Sequence, residues 1–174
     1  NRSVLSLSQL DSLLNSSIFG IIIGGRLGYV IFYNPKLYLA EPLAILRVWE
    51  GGMSFHGGMI GVIGAIFYCA HRFGLKPLPL GDEIAVVAPI GLFFGRIANF
   101  INGELFGRVT THPFGIVFPR GGSEPRHPSQ LYEAVFEGII LFIFLLILTR
   151  IKRHTGMRDG VILSGFLTGY GLAR

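Results

Sequence analysis

Apolar residues fall in five runs along the chain, separated by segments rich in Pro, Gly and charge. The first run covers Leu13 to Tyr33, and the second covers Met59 to Ala70, extended back to Phe55 to reach a usable length. The third is Asp82 to Asn99, with Pro89 placed to kink it; the fourth is Glu133 to Leu148; the fifth starts near Gly160 and reaches Arg174. A helix needs about 20 mainly apolar residues to cross a bilayer, so these runs read as membrane spans. The predicted fold is all-α: a polytopic transmembrane helix bundle forming one integral membrane domain over residues 1–174. Residues 1–12 are polar and serine-rich, suited to a loop or to an amphipathic lead-in. The two long connections are 34–55 and 102–132. The first holds the breakers Asn34-Pro35 and Glu41-Pro42, with Leu43 to Trp49 as a short interfacial helix. The second is Pro- and Gly-rich and predicts a small head outside the bilayer. The fifth run is shorter than a span, and Asn1 is not an initiator methionine, so the chain reads as a fragment truncated at both ends.

Composition strengthens the membrane reading. Half the residues, 51%, are hydrophobic and only 14% are charged, where a soluble domain carries about 25% charged residues. The net charge of +5 would suggest nucleic acid in a soluble protein. Here the basic residues lie between apolar runs, so topology and anionic lipid account for them, and nucleic acid is not expected as a partner. Six Lys and Arg crowd the short connections 71–81 and 150–159, whereas five are spread over 34–55 and 102–132. The positive-inside rule puts the first pair in the cytoplasm and the second pair outside. Cys69, the lone cysteine, sits in an apolar stretch and reads as a packing residue.

The chemistry concentrates in Gly95 to Arg108, GRIANFINGELFGR, which leaves an apolar run carrying Arg96, Asn99, Asn102, Glu104 and Arg108. An arginine within such a run costs about 2.5–3.5 kcal/mol on insertion scales, a cost that marks a polar cavity. Arg26 and Arg174 also interrupt apolar runs. Three guanidinium forks facing one cavity would hold an anionic headgroup; the alternative is three separate arginines snorkelling to the interface. His56, between glycine pairs in GGMSFHGGMIG, is a candidate general base, with His127 in RHPSQLYE as a second. A histidine merely satisfied at the interface is the alternative for His56. No metal site is expected: the histidines lack paired spacing and cysteine ligands are missing. Neither a GxSxG elbow nor a phosphate-binding P-loop sequence occurs.

These segments resemble the prolipoprotein diacylglyceryl transferase family. The resemblance rests on GRIANFINGELFGR together with GGRLGYVIFYNP, RVWEGGMSFHGG, RHPSQLYEA and the closing GYGLAR, in the family's order over nearly the whole chain. It implies seven transmembrane helices, of which this chain would hold about five, in the bacterial inner membrane with the active site on the extracytoplasmic side. It implies transfer of the diacylglyceryl group of phosphatidylglycerol to the lipobox cysteine of a prolipoprotein signal peptide. Arg96 and Arg174 match the family's essential arginines, and His56 matches the histidine proposed to assist thiol deprotonation. Asn99, Glu104 and Gly107 match signature positions, and Tyr170 falls on a family tyrosine. With Arg26, these four are expected at the phosphatidylglycerol site; His127 and Asn102 are secondary candidates. No cofactor is implied, and the partners are phosphatidylglycerol, the prolipoprotein and membrane lipid. A transporter or flippase of anionic lipid is the competing reading, since embedded arginines suit it too; His56 is the feature it does not need. A non-catalytic membrane scaffold gives no reason for the GRIANFINGE cluster.

Overall fold

The computed structural model describes residues 5–174, most of which are helical, with no strand among them. The chain divides into two compact units, Asn1–Leu80 and Gly81–Arg174.

The first unit is built on α1 (Leu7–Phe32) and α3 (Phe55–Phe73). Helix α1 begins six residues before the apolar run does. The cause is a capping box: Gln9 N donates to Ser6 Oγ, and Ser6 N donates back to Gln9 Oε1. The serine-rich stretch is therefore a helical lead-in from Leu7 onward; its first four residues lie outside those described. Ser54 caps α3 in the same manner, accepting from Gly57 N at 3.2 Å. The two helices pack through facing glycines at four-residue spacing. Gly20 and Gly24 on α1 meet Gly61 and Gly57 on α3, and a Cβ on any of them would run into the backbone opposite. Between the two helices lie α2 (Pro35–Ala40) and two 3-10 turns, Pro42–Leu46 and Val48–Glu50. The interfacial helix expected over Leu43 to Trp49 is thus broken at Arg47, because carbonyls that would continue its ladder are turned toward Arg26.

The second unit holds most of α4 (Pro77–Ile101), a continuous helix from Ser129 to Thr155, and α7 (Val161–Ala173). The continuous helix comprises α5 (Ser129–Glu133), a π-helical segment Ala134–Ile140, and α6 (Leu141–Thr155). Ala85, Leu141, Leu145 and Ile162 form its core. At one end of α4, buried Asp82 accepts from Lys152 Nζ at 2.7 Å, Gly160 N at 2.9 Å and Leu163 N at 2.7 Å. It thereby caps α7 from a neighbouring helix, where Gly160 has no side chain to do so. At the other end, about 20 Å away by helix rise, stands Arg96.

Helices α1, α4 and Ser129–Thr155 are each long and apolar enough to cross a bilayer. The protein is an all-α polytopic membrane protein. Beyond α4, residues 102–128 fold back on themselves through bridges from Val109 and Ile116 to Arg126. Phe118 is buried between Phe100 and Phe106, at centroid distances of 6.0 and 5.3 Å.

Candidate active site: an arginine–carboxylate network

In the second unit, four charged side chains from three segments meet. Arg96 lies in the last two turns of α4, Glu133 closes α5, Glu137 sits in the π-helical segment, and Arg174 follows α7. Arg96 donates through Nε and Nη2 to Glu137 Oε2 at 3.1 and 2.9 Å. Its Nη1 is 2.8 Å from Glu133 Oε2. The other oxygen of Glu133 accepts from Arg174 Nη1 at 2.7 Å. Glu133 therefore bridges the two arginines. Glu137 Oε1 is buried without a hydrogen bond, 3.8 Å from Arg174 Nη1.

The environment of the four is graded. Side-chain exposure is 0% for Glu137, 12% for Arg96, 22% for Glu133 and 53% for Arg174. Two arginines against two glutamates leave no net charge, which is how this many charges are tolerated in an apolar setting. Removing one partner of a buried pair costs about 3–5 kcal/mol, because the other is left uncompensated. The segment carrying Glu137 is wound as a π-helix, a rare geometry that recurs at functional sites.

The signature loop is fastened to the same helix. Glu104 O accepts from Gln130 Nε2 at 2.6 Å, and Leu105 O accepts from Ser129 Oγ at 3.1 Å. Gly107 N donates to His127 O at 2.9 Å, and His127 N donates to Arg108 O at 3.0 Å. A Cβ at Gly107 would lie 2.9 Å from His127 O, so only glycine fits between these two segments without a shift. Leu105 has φ +55°, a conformation that costs roughly 1–3 kcal/mol outside glycine and persists when its surroundings hold it. GELFGR and RHPSQLYE thus fold as one piece, which fixes the start, at Ser129, of the helix that carries Glu133. Asn102 Nδ2 donates to Glu104 Oε1 at 3.3 Å, Asn99 O accepts from Glu104 N at 3.0 Å, and His127 Nδ1 lies 3.4 Å from the Tyr132 hydroxyl. Tyr170 stacks on Phe166 and packs on the core one turn before Arg174.

Two candidate residues belong to the first unit. His56 is the second residue of α3, exposed, with its ring edge-on to Phe55. Arg26 is 5% exposed and has a geometry different from the one expected of a headgroup ligand. Its Nε donates to Ile45 O, its Nη1 to Gly51 O and Gly52 O, and its Nη2 to Ala44 O and Arg47 O, at 2.6 to 3.1 Å. All five donors of the guanidinium are matched by carbonyls, and the Tyr38 ring lies 5.2 Å from its centre.

The sequence profile of the family described as prolipoprotein diacylglyceryl transferase matches residues 2–174. The chain belongs to the prolipoprotein diacylglyceryl transferase family. Several relatives are named phosphatidylglycerol–prolipoprotein diacylglyceryl transferase. That of Azospirillum brasilense is 54% identical over 171 residues, covering 97% of this chain and 63% of the relative. That of Rhodospirillum rubrum is 54% identical over 173 residues, covering 98% and 62%. That of Geobacter sulfurreducens is 51% identical over 175 residues, covering 99% and 66%. The chain therefore spans less than two thirds of the length of these transferases.

Within this diacylglyceryl transferase family member, Glu133 and Glu137 are the members of the charged network that the motifs alone do not single out. Glu137 was findable: it is a carboxylate inside the fourth apolar run, where an ionisable group calls for a partner. Its spacing of four from Glu133 puts both on one helix face.

Proposed function

We propose that the protein carrying this chain transfers the diacylglyceryl group of phosphatidylglycerol to the lipobox cysteine of prolipoproteins, the first step of lipoprotein maturation. The observation that supports it is the pairing of Arg96 and Arg174 across Glu133, in a chain whose relatives carry that activity in their names. Those names support transfer over the competing reading as a lipid transporter.

The cysteine thiol loses its proton, and its sulfur attacks the glyceryl carbon bonded to phosphate. A carbon–sulfur bond forms, the carbon–oxygen bond breaks, and its electron pair leaves with glycerol phosphate. The phosphate changes from a diester to a more highly charged monoester. Fixed guanidiniums stabilise charge as it develops, and Arg96 and Arg174 take that role. His56 accepts the thiol proton, since a thiol with a pKa of about 8.5 is mostly protonated at neutral pH. Asn99, Glu104, Gly107 and Tyr170 orient the headgroup and the arginines, with His127 and Asn102 as secondary contributors. Arg26 serves by holding the segment before α3 in place. In this reading the five apolar segments cross the inner membrane of a bacterium, and the connections 34–54 and 102–128, shorter than expected because α3 starts at Phe55 and the next helix at Ser129, face the extracytoplasmic side.

The test uses the protein as its gene encodes it, purified in detergent with phosphatidylglycerol and a lipobox peptide. The expected result is a peptide mass increased by one diacylglyceryl group on cysteine. An unmodified peptide, from protein that is folded and binds phosphatidylglycerol, would overturn the transferase reading in favour of lipid transport.

A further inference from the structure

The four-charge network has no net charge, yet a phosphodiester that binds there brings one negative charge of its own. Some carboxylate must give way, and the two glutamates are not equally able to do so. Glu137 is fully buried, and its Oε2 is held by two N–H groups of Arg96. Glu133 is 22% exposed, and each of its oxygens touches a different arginine by a single contact. One of those contacts is to Arg174, the most exposed member at 53%. The two non-bridging oxygens of a phosphodiester, each an acceptor for a guanidinium N–H, can span two guanidiniums as these two carboxylate oxygens do. The residue after Glu133 begins the π-helical segment, so its helix is irregular where movement would be needed.

We propose that Glu133 is a displaceable counter-ion, occupying between Arg96 and Arg174 the position that the lipid phosphate takes when it binds. This inference rests on the transferase reading above. Glu133 is a positioning residue: it acts through the two arginines and not on the reacting atoms. Glu137 is the permanent anchor. Its free Oε1, 3.8 Å from Arg174, keeps that arginine beside Arg96 after Glu133 has swung away. When the glycerol phosphate product is ready to leave, Glu133 returns and competes for the same donors. The carboxylate therefore weakens substrate binding and hastens product release.

The experiment measures transfer kinetics and product inhibition by glycerol phosphate in the full protein, wild type against Glu133→Gln and Glu137→Gln. With the competing charge removed, Glu133→Gln is expected to lower KM for phosphatidylglycerol and Ki for glycerol phosphate by threefold or more, while kcat falls. Glu137→Gln loosens Arg96 and is expected to raise both constants. A Ki that is unchanged or raised in Glu133→Gln would overturn the proposal, since a purely structural glutamate would weaken anion binding when lost. If Glu133→Gln does not survive purification, Glu133→Asp carries the test. Its shorter side chain keeps the charge but spans only one arginine, so Ki should fall in the same direction, and an unchanged or raised value overturns the proposal. Wild-type protein that transfers nothing indicts the transferase reading; wild-type transfer with an unmoved Ki in the variants indicts only the counter-ion.

Discussion

Arg26 and Arg96 each interrupt a long apolar helix and each is largely buried, but their guanidiniums meet different partners. Arg26 points its five donors at five backbone carbonyls of residues 44–52. Arg96 points its donors at two carboxylates, one of which it shares with Arg174. Carbonyls belong to the backbone and cannot rotate away without unfolding the segment that bears them. Carboxylates sit on side chains, and another anion can replace them. The first arrangement ties down residues 44–52, and the second pairs two cations with side chains that can move. An arginine in an apolar run thus signals that something polar is nearby, and only the identity of its acceptors separates a structural role from a binding one.

The sharpest way to break this comparison is to remove each arginine in turn. Arg96→Ala is expected to reduce transfer by about 10²–10³, the usual loss when one preorganised donor to a developing oxyanion is removed. Because Glu137 would be left alone in the interior, the partner variant Arg96→Ala/Glu137→Gln separates the effects. It should recover the amount of folded protein while staying as inactive as the single variant. Near wild-type turnover in either would remove Arg96 from the phosphate site. Arg26→Lys is expected to act on stability first. An ammonium has three donors for five carbonyls, and losing two charge-assisted bonds costs about 3 kcal/mol or more. Hydrogen exchange should rise over residues 44–52, with KM for phosphatidylglycerol changed less than twofold. A large KM change with unaltered exchange would make Arg26 a headgroup ligand after all.

How legible these two roles were in the sequence follows from what each depends on. The all-α polytopic fold was readable from the apolar runs and low charge, because a backbone in lipid must satisfy its own hydrogen bonds and continuous apolar runs of this length do so as helices. The early start of α1 was written in Ser6 and Gln9, a capping pair that the serine-rich composition obscured. The network around Arg96 was half visible: the arginines stand out in GRIANF and GYGLAR, and Glu137 stands out once an apolar run is searched for carboxylates. That Glu133 bridges both arginines depends on the π-helical winding and on the pairing of GELFGR with RHPSQLYE, neither of which has a periodicity to read. The cage around Arg26 was invisible for a deeper reason. Its acceptors are main-chain carbonyls, which every residue possesses, so no residue type in 44–52 marks them.

The smallest effect falls on His56, which shares the first unit with Arg26 and opens the helix that follows the caged segment. If His56 takes the thiol proton, its value depends on how much thiol is un-ionised. A peptide thiol with a pKa of about 8.5 is only a few per cent thiolate at pH 7, so His56→Gln should slow transfer by about tenfold there. As the pH rises through 8.5 the thiol ionises unaided, and the variant should converge on the wild type, with the gap shrinking to about twofold by pH 9. Arg96→Ala should show no such convergence, because the charge on the departing phosphate needs its guanidinium at every pH. A His56→Gln deficit that stays constant from pH 7 to 9 would assign the histidine to structure at the head of α3. The comparison would then sharpen further: the first unit would supply shape alone, and the charge chemistry would belong to the second.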